Sequence, residues 1–219
     1  MSTATTSDLG SAPDVSTRLS AYYRWHAHLY DLTRWAFLFG RRRLVRQVAR
    51  HTTPKRILEI GCGTGSNLAL LANCFPDAEL VGMDLSSDML AKARQKLSAH
   101  SHRITLLHQA YSRPSAPDAR FDLVVISYCL TMVNPGYREL LAIAQQDLTH
   151  GGHIAIVDFH QSPSSAFRRW MGVNHVRMEG QVLRALTDTG YVPLRSEILP
   201  AYGGLWSYLL YIGRGPLLK

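Results

Sequence analysis

The chain has 219 residues, 46% hydrophobic and 18% charged, with a net charge of +8; these are the proportions of one folded domain with a substantial core, not of a disordered segment. Three cysteines with no CxxC pair (Cys62, Cys74, Cys129) exclude a disulfide framework and suit a reducing, cytoplasmic compartment. No apolar run approaches the roughly 18 residues of a membrane span, and the excess of base leaves three partner classes: nucleic acid, an anionic membrane surface, or an acidic small substrate.

Residues 1–17 are rich in Ser, Thr, Ala and Asp; they read as a loose tail, without the basic start and apolar core of a signal peptide. Residues 18–50 read as an N-terminal helical cap, because Tyr22 to Val48 contains no proline and has apolar residues at helical spacing. One long helix fits, or two joined near Phe39-Gly40. Arg41, Arg42, Arg43, Arg46 and Arg50 follow Trp35-Ala36-Phe37-Leu38-Phe39. Aromatic side chains beside a basic cluster suit a water–lipid interface, and a helix with one core face and one solvated basic face explains them equally well.

Residues 51–219 then alternate. Strand Arg56–Ile60 leads to helix Asn67–Asn73, and strand Glu79–Met83 to helix Ser87–His100, with Ser86 or Ser87 as N-cap. Strand Ile104–His108, a proline-bearing loop, strand Phe121–Ser127 and helix Tyr137–Leu148 follow. Gly151-Gly152 precedes strand Ile154–Phe159; a segment around Phe167–Met171 and helix Glu179–Asp188 come next. Strands Val192–Ile198 and Trp206–Gly213 follow one another without a helix and so pair antiparallel. Alternating strands and helices imply parallel βα units, and a run such as Leu123-Val124-Val125-Ile126 suits a strand buried on both faces.

The most informative stretch is Ile57-Leu58-Glu59-Ile60-Gly61-Cys62-Gly63-Thr64-Gly65. An apolar strand ends in three glycines at alternate positions, and a helix-compatible run follows. Glycines there let backbone approach a ligand with no Cβ in the way. Leu80-Val81-Gly82-Met83-Asp84 is a second apolar run, ending in an acid nineteen residues past Gly65, the distance at which a carboxylate accepts hydrogen bonds from ribose hydroxyls. Together they point to a nucleoside-containing ligand. The absence of Gly-Lys-Ser/Thr argues against a P-loop, and G-x-G-x-G is not the G-x-G-x-x-G of dinucleotide folds.

This loop, with Glu59 two residues before the first glycine, resembles motif I of the class I S-adenosylmethionine (SAM)-dependent methyltransferases, and Met83-Asp84-Leu85-Ser86-Ser87-Asp88-Met89-Leu90 resembles their acidic loop. The resemblance covers about Arg56 to Gly213. It implies a Rossmann-like α/β fold, a mostly parallel seven-stranded sheet with helices on both faces, and SAM as cofactor with S-adenosyl-L-homocysteine as product. Ligands in such sheets bind beyond the C-terminal strand ends. The candidate cofactor residues are therefore Glu59, Gly61, Cys62, Gly63 and Gly65 after the first strand, Asp84, Leu85 and Met89 after the second, Gln109 and Ala110 after the third, and Ser127 and Tyr128 after the fourth. Gln109 departs from the acid that the family often places there. Met89 also reads as plain helix core, Tyr128 as filler at the strand end, and Asp158 as a structural cap.

Methyl transfer needs alignment and exclusion of water, and an amine acceptor must also lose its proton. His160 is the first candidate base, then His26 and Tyr128. Aromatic faces such as Tyr22 and Tyr23 could stabilise a quaternary ammonium. The histidines fall into no ligand spacing, so no metal is expected.

A narrower resemblance rests on four segments: Tyr30 to Arg41, Ser127-Tyr128-Cys129-Leu130-Thr131-Met132-Val133, Val157-Asp158-Phe159-His160, and Arg168 to Val176. They are similar to the N-methyltransferases of betaine-lipid synthesis, which trimethylate diacylglyceryl-homoserine. The resemblance implies that Tyr30 and Arg34 hold the cofactor carboxylate, that Asp158, Arg168 and Arg169 meet the headgroup, and that the chain works peripherally on the inner face of an anionic membrane beside the enzyme that makes the homoserine lipid. Phosphatidylethanolamine, a quinone or another small metabolite are the alternative acceptors. RNA ranks low for want of a separate RNA-binding module. A non-catalytic SAM-binding partner of a lipid-synthesis enzyme is the alternative of another class.

Overall fold

The computed structural model describes residues 38–115, 120–173 and 175–215. In chain order these carry α1 (Arg41–Val48), β1 (Arg56–Ile60), α2 (Ser66–Cys74), β2 (Glu79–Asp84), α3 (Ser87–Lys96), β3 (Ile104–His108), β4 (Phe121–Ser127), α4 (Tyr137–Gln146), β5 (Leu148–Gln161), α5 (Ser165–Val173), α6 (Gln181–Asp188), β6 (Val192–Ala201) and β7 (Trp206–Arg214). The strands form one seven-stranded sheet in the order β3-β2-β1-β4-β5-β7-β6. β1 to β5 pair parallel, and β7 runs antiparallel to both β5 and β6. The alternation predicted the parallel βα units, and the seven-stranded Rossmann-like sheet is the one the resemblance implied. The chain order left one thing open: β7 returns inside β6 and pairs with β5.

Two apolar layers cover the sheet. On one face Leu44, Val45 and Val48 of α1 pack with Leu68 and Leu71 of α2 and with Leu90 and Ala93 of α3. On the other, Leu140, Leu141 and Ala144 of α4 pack with Val182, Ala185 and Leu186 of α6. Every residue of β4 except Asp122 is buried, as a parallel strand covered on both faces requires. Local chemistry sets the helix starts. Ser86 accepts from the Met89 amide at 3.3 Å to cap α3, whereas α1 and α2 begin after Gly40 and Gly65 in the left-handed region.

Several expected boundaries move. The long N-terminal helix is described only as Arg41–Val48; residues 22–37 of it lie outside the described residues, as does the expected tail. The third helix ends at Lys96, and a short 3-10 turn takes Ser98–His100. β5 starts at Leu148, not Ile154, because Gly151 at φ 76° bends the strand instead of ending it. Among the described residues no helix is long and apolar enough to cross a membrane.

Candidate active site

The loop from β1 to α2 is built on positive φ: 69° at Gly61, 54° at Gly63 and 72° at Gly65. A Cβ on Gly61 would come within 2.8 Å of the Cys129 Sγ, so this glycine is required both by its backbone and by the wall opposite. The loop is bolted to the end of β2. The Cys62 amide donates to the Met83 carbonyl at 3.0 Å, and the Gly63 amide donates to Asp84 Oδ2 at 2.7 Å. Asp84 Oδ1 accepts from the Ser86 amide at 2.9 Å. Each carboxylate oxygen keeps a further lone pair, so Asp84 can position the loop and still accept from a ribose.

Glu59 and Cys62 act from beneath. Glu59 is buried and accepts from Asn67 Nδ2 at 3.0 Å, tying β1 to the first turn of α2. The Cys62 thiol is buried against Gly82, where a Cβ would lie 2.9 Å from its sulfur. Burial, then the Glu59 and Asp84 charges, push that thiol far up, so it is a neutral packing group.

Beyond β2 the side chain of Leu85 is 56% exposed, an open apolar platform for a ring, while Met89 is buried at the start of α3. His108 pairs with the Leu85 carbonyl at 3.0 Å and steadies that platform. Gln109 and Ala110 are exposed at the end of β3, and the Gln109 amide donates to the Asp84 carbonyl at 3.2 Å.

The ends of β4 and β5 correct two expectations. Tyr128 is buried at φ 53°, and its hydroxyl donates to the Phe39 carbonyl at 2.8 Å. Burial, then the Asp158 charge, raise it well above the ordinary phenol value; it holds the segment before α1 and is not a base. Its neighbour Ser127 accepts from Arg41 Nε at 2.8 Å. Asp158 is also not a headgroup ligand. It is fully buried, and its carboxylate accepts from the amides of Cys129, Leu130, Thr131 and Phe159 and from the Thr131 hydroxyl. It knots the turn after β4 to the end of β5. Burial pushes its carboxyl up to about 6 against the opposing pull of those bonds.

His160 is 7% exposed, and its Nδ1 has no hydrogen-bond partner among the described residues. It lies under Gly180, where a Cβ would stand 3.1 Å from the ring. Burial, then the Arg184 charge, hold it below the ordinary imidazole value. It is therefore neutral at neutral pH and able to accept a proton. β5 is the next strand but one from β1, so the strand that carries His160 and the strand that feeds the glycine loop are separated by roughly 10 Å of sheet. Arg168 and Arg169 are exposed on α5, and Arg168 donates to the Ser162 carbonyl. Tyr22, Tyr23, His26, Tyr30 and Arg34 lie outside the described residues. Among the described residues no three potential metal ligands cluster. Sequence reasoning gave no role to Asn67 or His108, and it met Thr131 and Arg41 only within resembling segments or a basic cluster; the partners of His108, Thr131 and Arg41 are distant in the chain.

Residues 57–152 match the family described as "Methyltransferase domain". These residues carry a methyltransferase domain. Its cofactor is S-adenosylmethionine, and the left-handed glycines, the part-used Asp84 carboxylate and the exposed Leu85 fit that group. A demethylmenaquinone methyltransferase of Thermus thermophilus is 34% identical over 143 residues, which are 63% of this chain and 64% of that protein. A trans-aconitate 2-methyltransferase of an Acidovorax species is 34% identical over 106 residues, 48% of this chain and 39% of that one. The chain thus spans less than two thirds of the length of these curated relatives. The N-methyltransferase NodS of Bradyrhizobium japonicum, solved with S-adenosyl-L-homocysteine, shares this fold at a TM-score of 0.66 and 22% identity, over 80% of this chain and 85% of that chain.

Proposed function

We propose that the protein transfers the methyl group of SAM to an acceptor carried in a membrane. The observation that carries the methyl-transfer reading is the glycine loop, its Gly63 amide held by Asp84, at the C-terminal end of the parallel strands; His160 is buried at the end of β5, two strands from β1. SAM supplies an electrophilic methyl on a good leaving group. The chain's own residues do the rest. Gly61, Gly63 and Gly65 admit the cofactor backbone, Asp84 accepts from its ribose, and Leu85 offers its ring an apolar face. The Asp158 knot fixes the turn that walls the acceptor side. His160 Nδ1 can hold the proton that the acceptor loses.

Two acceptor classes have support. A curated relative 34% identical over 143 residues is a demethylmenaquinone methyltransferase, which favours a quinone. The segment resemblance to betaine-lipid enzymes favours a headgroup amine such as that of diacylglyceryl-homoserine. Labelled SAM and a total lipid extract separate the two. Label is expected in the quinone fraction or in the aminolipid fraction, and label in a water-soluble acceptor alone would sink both. Absence of any transfer in a single-turnover assay, with SAM still bound, would favour a non-catalytic SAM-binding protein.

A further inference from the structure

We propose that α5 and the β6–β7 tip form a docking face for an anionic lipid surface, at the mouth of the site. The register puts both at the C-terminal end of β5: Gln161, the last residue of β5, pairs with Ser207, and α5 follows four residues later. Ser162 Oγ donates to the Leu205 carbonyl at 2.6 Å and joins the two. Phe39, at the start of the segment leading into α1, meets Tyr202 edge-on at 5.2 Å and extends the same face.

This face exposes large apolar side chains. Val173 is 73% exposed, Tyr202 52%, Trp170 49%, Leu205 41% and Phe39 38%. On α5, Met171 turns inward and is buried. At 100° per residue, Trp170 and Val173 carry the apolar side of the helix away from Met171 into solvent, and Arg169 flanks them. Charge selects the occupant. Residues 161–178 contain Arg168, Arg169 and Arg177 and no acid; the acids that border the face are Glu179, bridged to Gln161, and Glu197, which pairs with Arg43. Exposed aromatic and aliphatic side chains beside the exposed Arg168 and Arg169 match a headgroup boundary of negative charge, where each basic residue adds to the attraction. A neutral protein partner would have no use for the arginines, and a nucleic acid none for Val173 and Leu205. A face here would deliver a membrane-borne acceptor straight to the ends of β4 and β5. The proposal deepens the membrane-borne acceptor reading and rests on it for its purpose, but its test needs no turnover.

The test is co-sedimentation of the full chain with vesicles of equal phosphatidylglycerol and phosphatidylcholine, against phosphatidylcholine alone, at low and high salt. The native chain is expected to pellet with the anionic vesicles, to stay in solution with the neutral ones, and to be released by salt. Val173→Asp and Arg169→Glu should each weaken pelleting at least about tenfold while SAM binding, read by calorimetry, stays native and shows the variants folded. Equal pelleting with both vesicles, no pelleting at low salt, or variants that pellet like the native chain would overturn it. A chain that methylates an extracted acceptor but never pellets loses the docking face and keeps methyl transfer. One that pellets but transfers nothing loses the reverse.

Discussion

Single residues decide what the site can do, and Asp158 is the clearest case. The betaine-lipid resemblance implied contact with substrate and the strand end a structural cap; one carboxylate satisfies four amides and a hydroxyl inside the protein. Asp158→Ala would strand those buried donors and should cost about 3–5 kcal/mol, readable by urea unfolding. Its titration has a definite sign. The folded carboxyl, at about 6, binds its proton more tightly than the ordinary value of 3.8. The folded state therefore gains from it at low pH and loses that gain as pH rises from 3.8 to about 6. Because Asn cannot titrate, the stability difference between Asp158→Asn and the native chain should move in the variant's favour across that window. His160 has the opposite shift, since burial lowers it. It takes up its proton only below 6.5, so the acid limb of kcat/KM is expected below that pH. His160→Gln should remove that limb and lower kcat by about 10²- to 10⁴-fold with SAM affinity unchanged. A variant that keeps both native kcat and the acid limb would take His160 out of the mechanism.

At the scale of elements, the glycine loop and the end of β2 behave as one device. Gly61→Ala would place a Cβ within 2.8 Å of the Cys129 Sγ on a residue already at φ 69°, and strain of this kind costs about 1–3 kcal/mol. Asp84→Ala releases the Gly63 and Ser86 amides from the other side. Both should weaken SAM binding at least about tenfold in calorimetry, and unchanged affinity in either would remove that residue from the site. The loop was legible in the sequence because its signals are local: an apolar run, three spaced glycines, and an acid at a set distance. The turn after β4 was not. Tyr128 looks like a pocket aromatic until its hydroxyl is found on the Phe39 carbonyl, 89 residues away in sequence.

At the scale of the whole sheet, β7 threads between β5 and β6 and brings Trp206 to the C-terminal end of β5. Trp206 is fully buried, with Phe159 at 5.0 Å and Phe39 at 5.9 Å between ring centres. Trp206→Ala should cost about 3–5 kcal/mol in urea unfolding. A loss below about 1 kcal/mol would show that this cluster does not hold the end of the sheet. The sequence by itself determined the βα alternation, the parallel half of the sheet, the glycine loop and its partner Asp84, because periodicity and spacing are written along the chain. Only the tertiary structure decided that β7 lies inside β6, that Asp158 and Tyr128 are ties, and that the arginines of α1 divide: Arg41 reaches Ser127 and Arg43 reaches Glu197. Each of these depends on which distant groups burial brings together, and a buried polar atom takes its role from the partner it finds there.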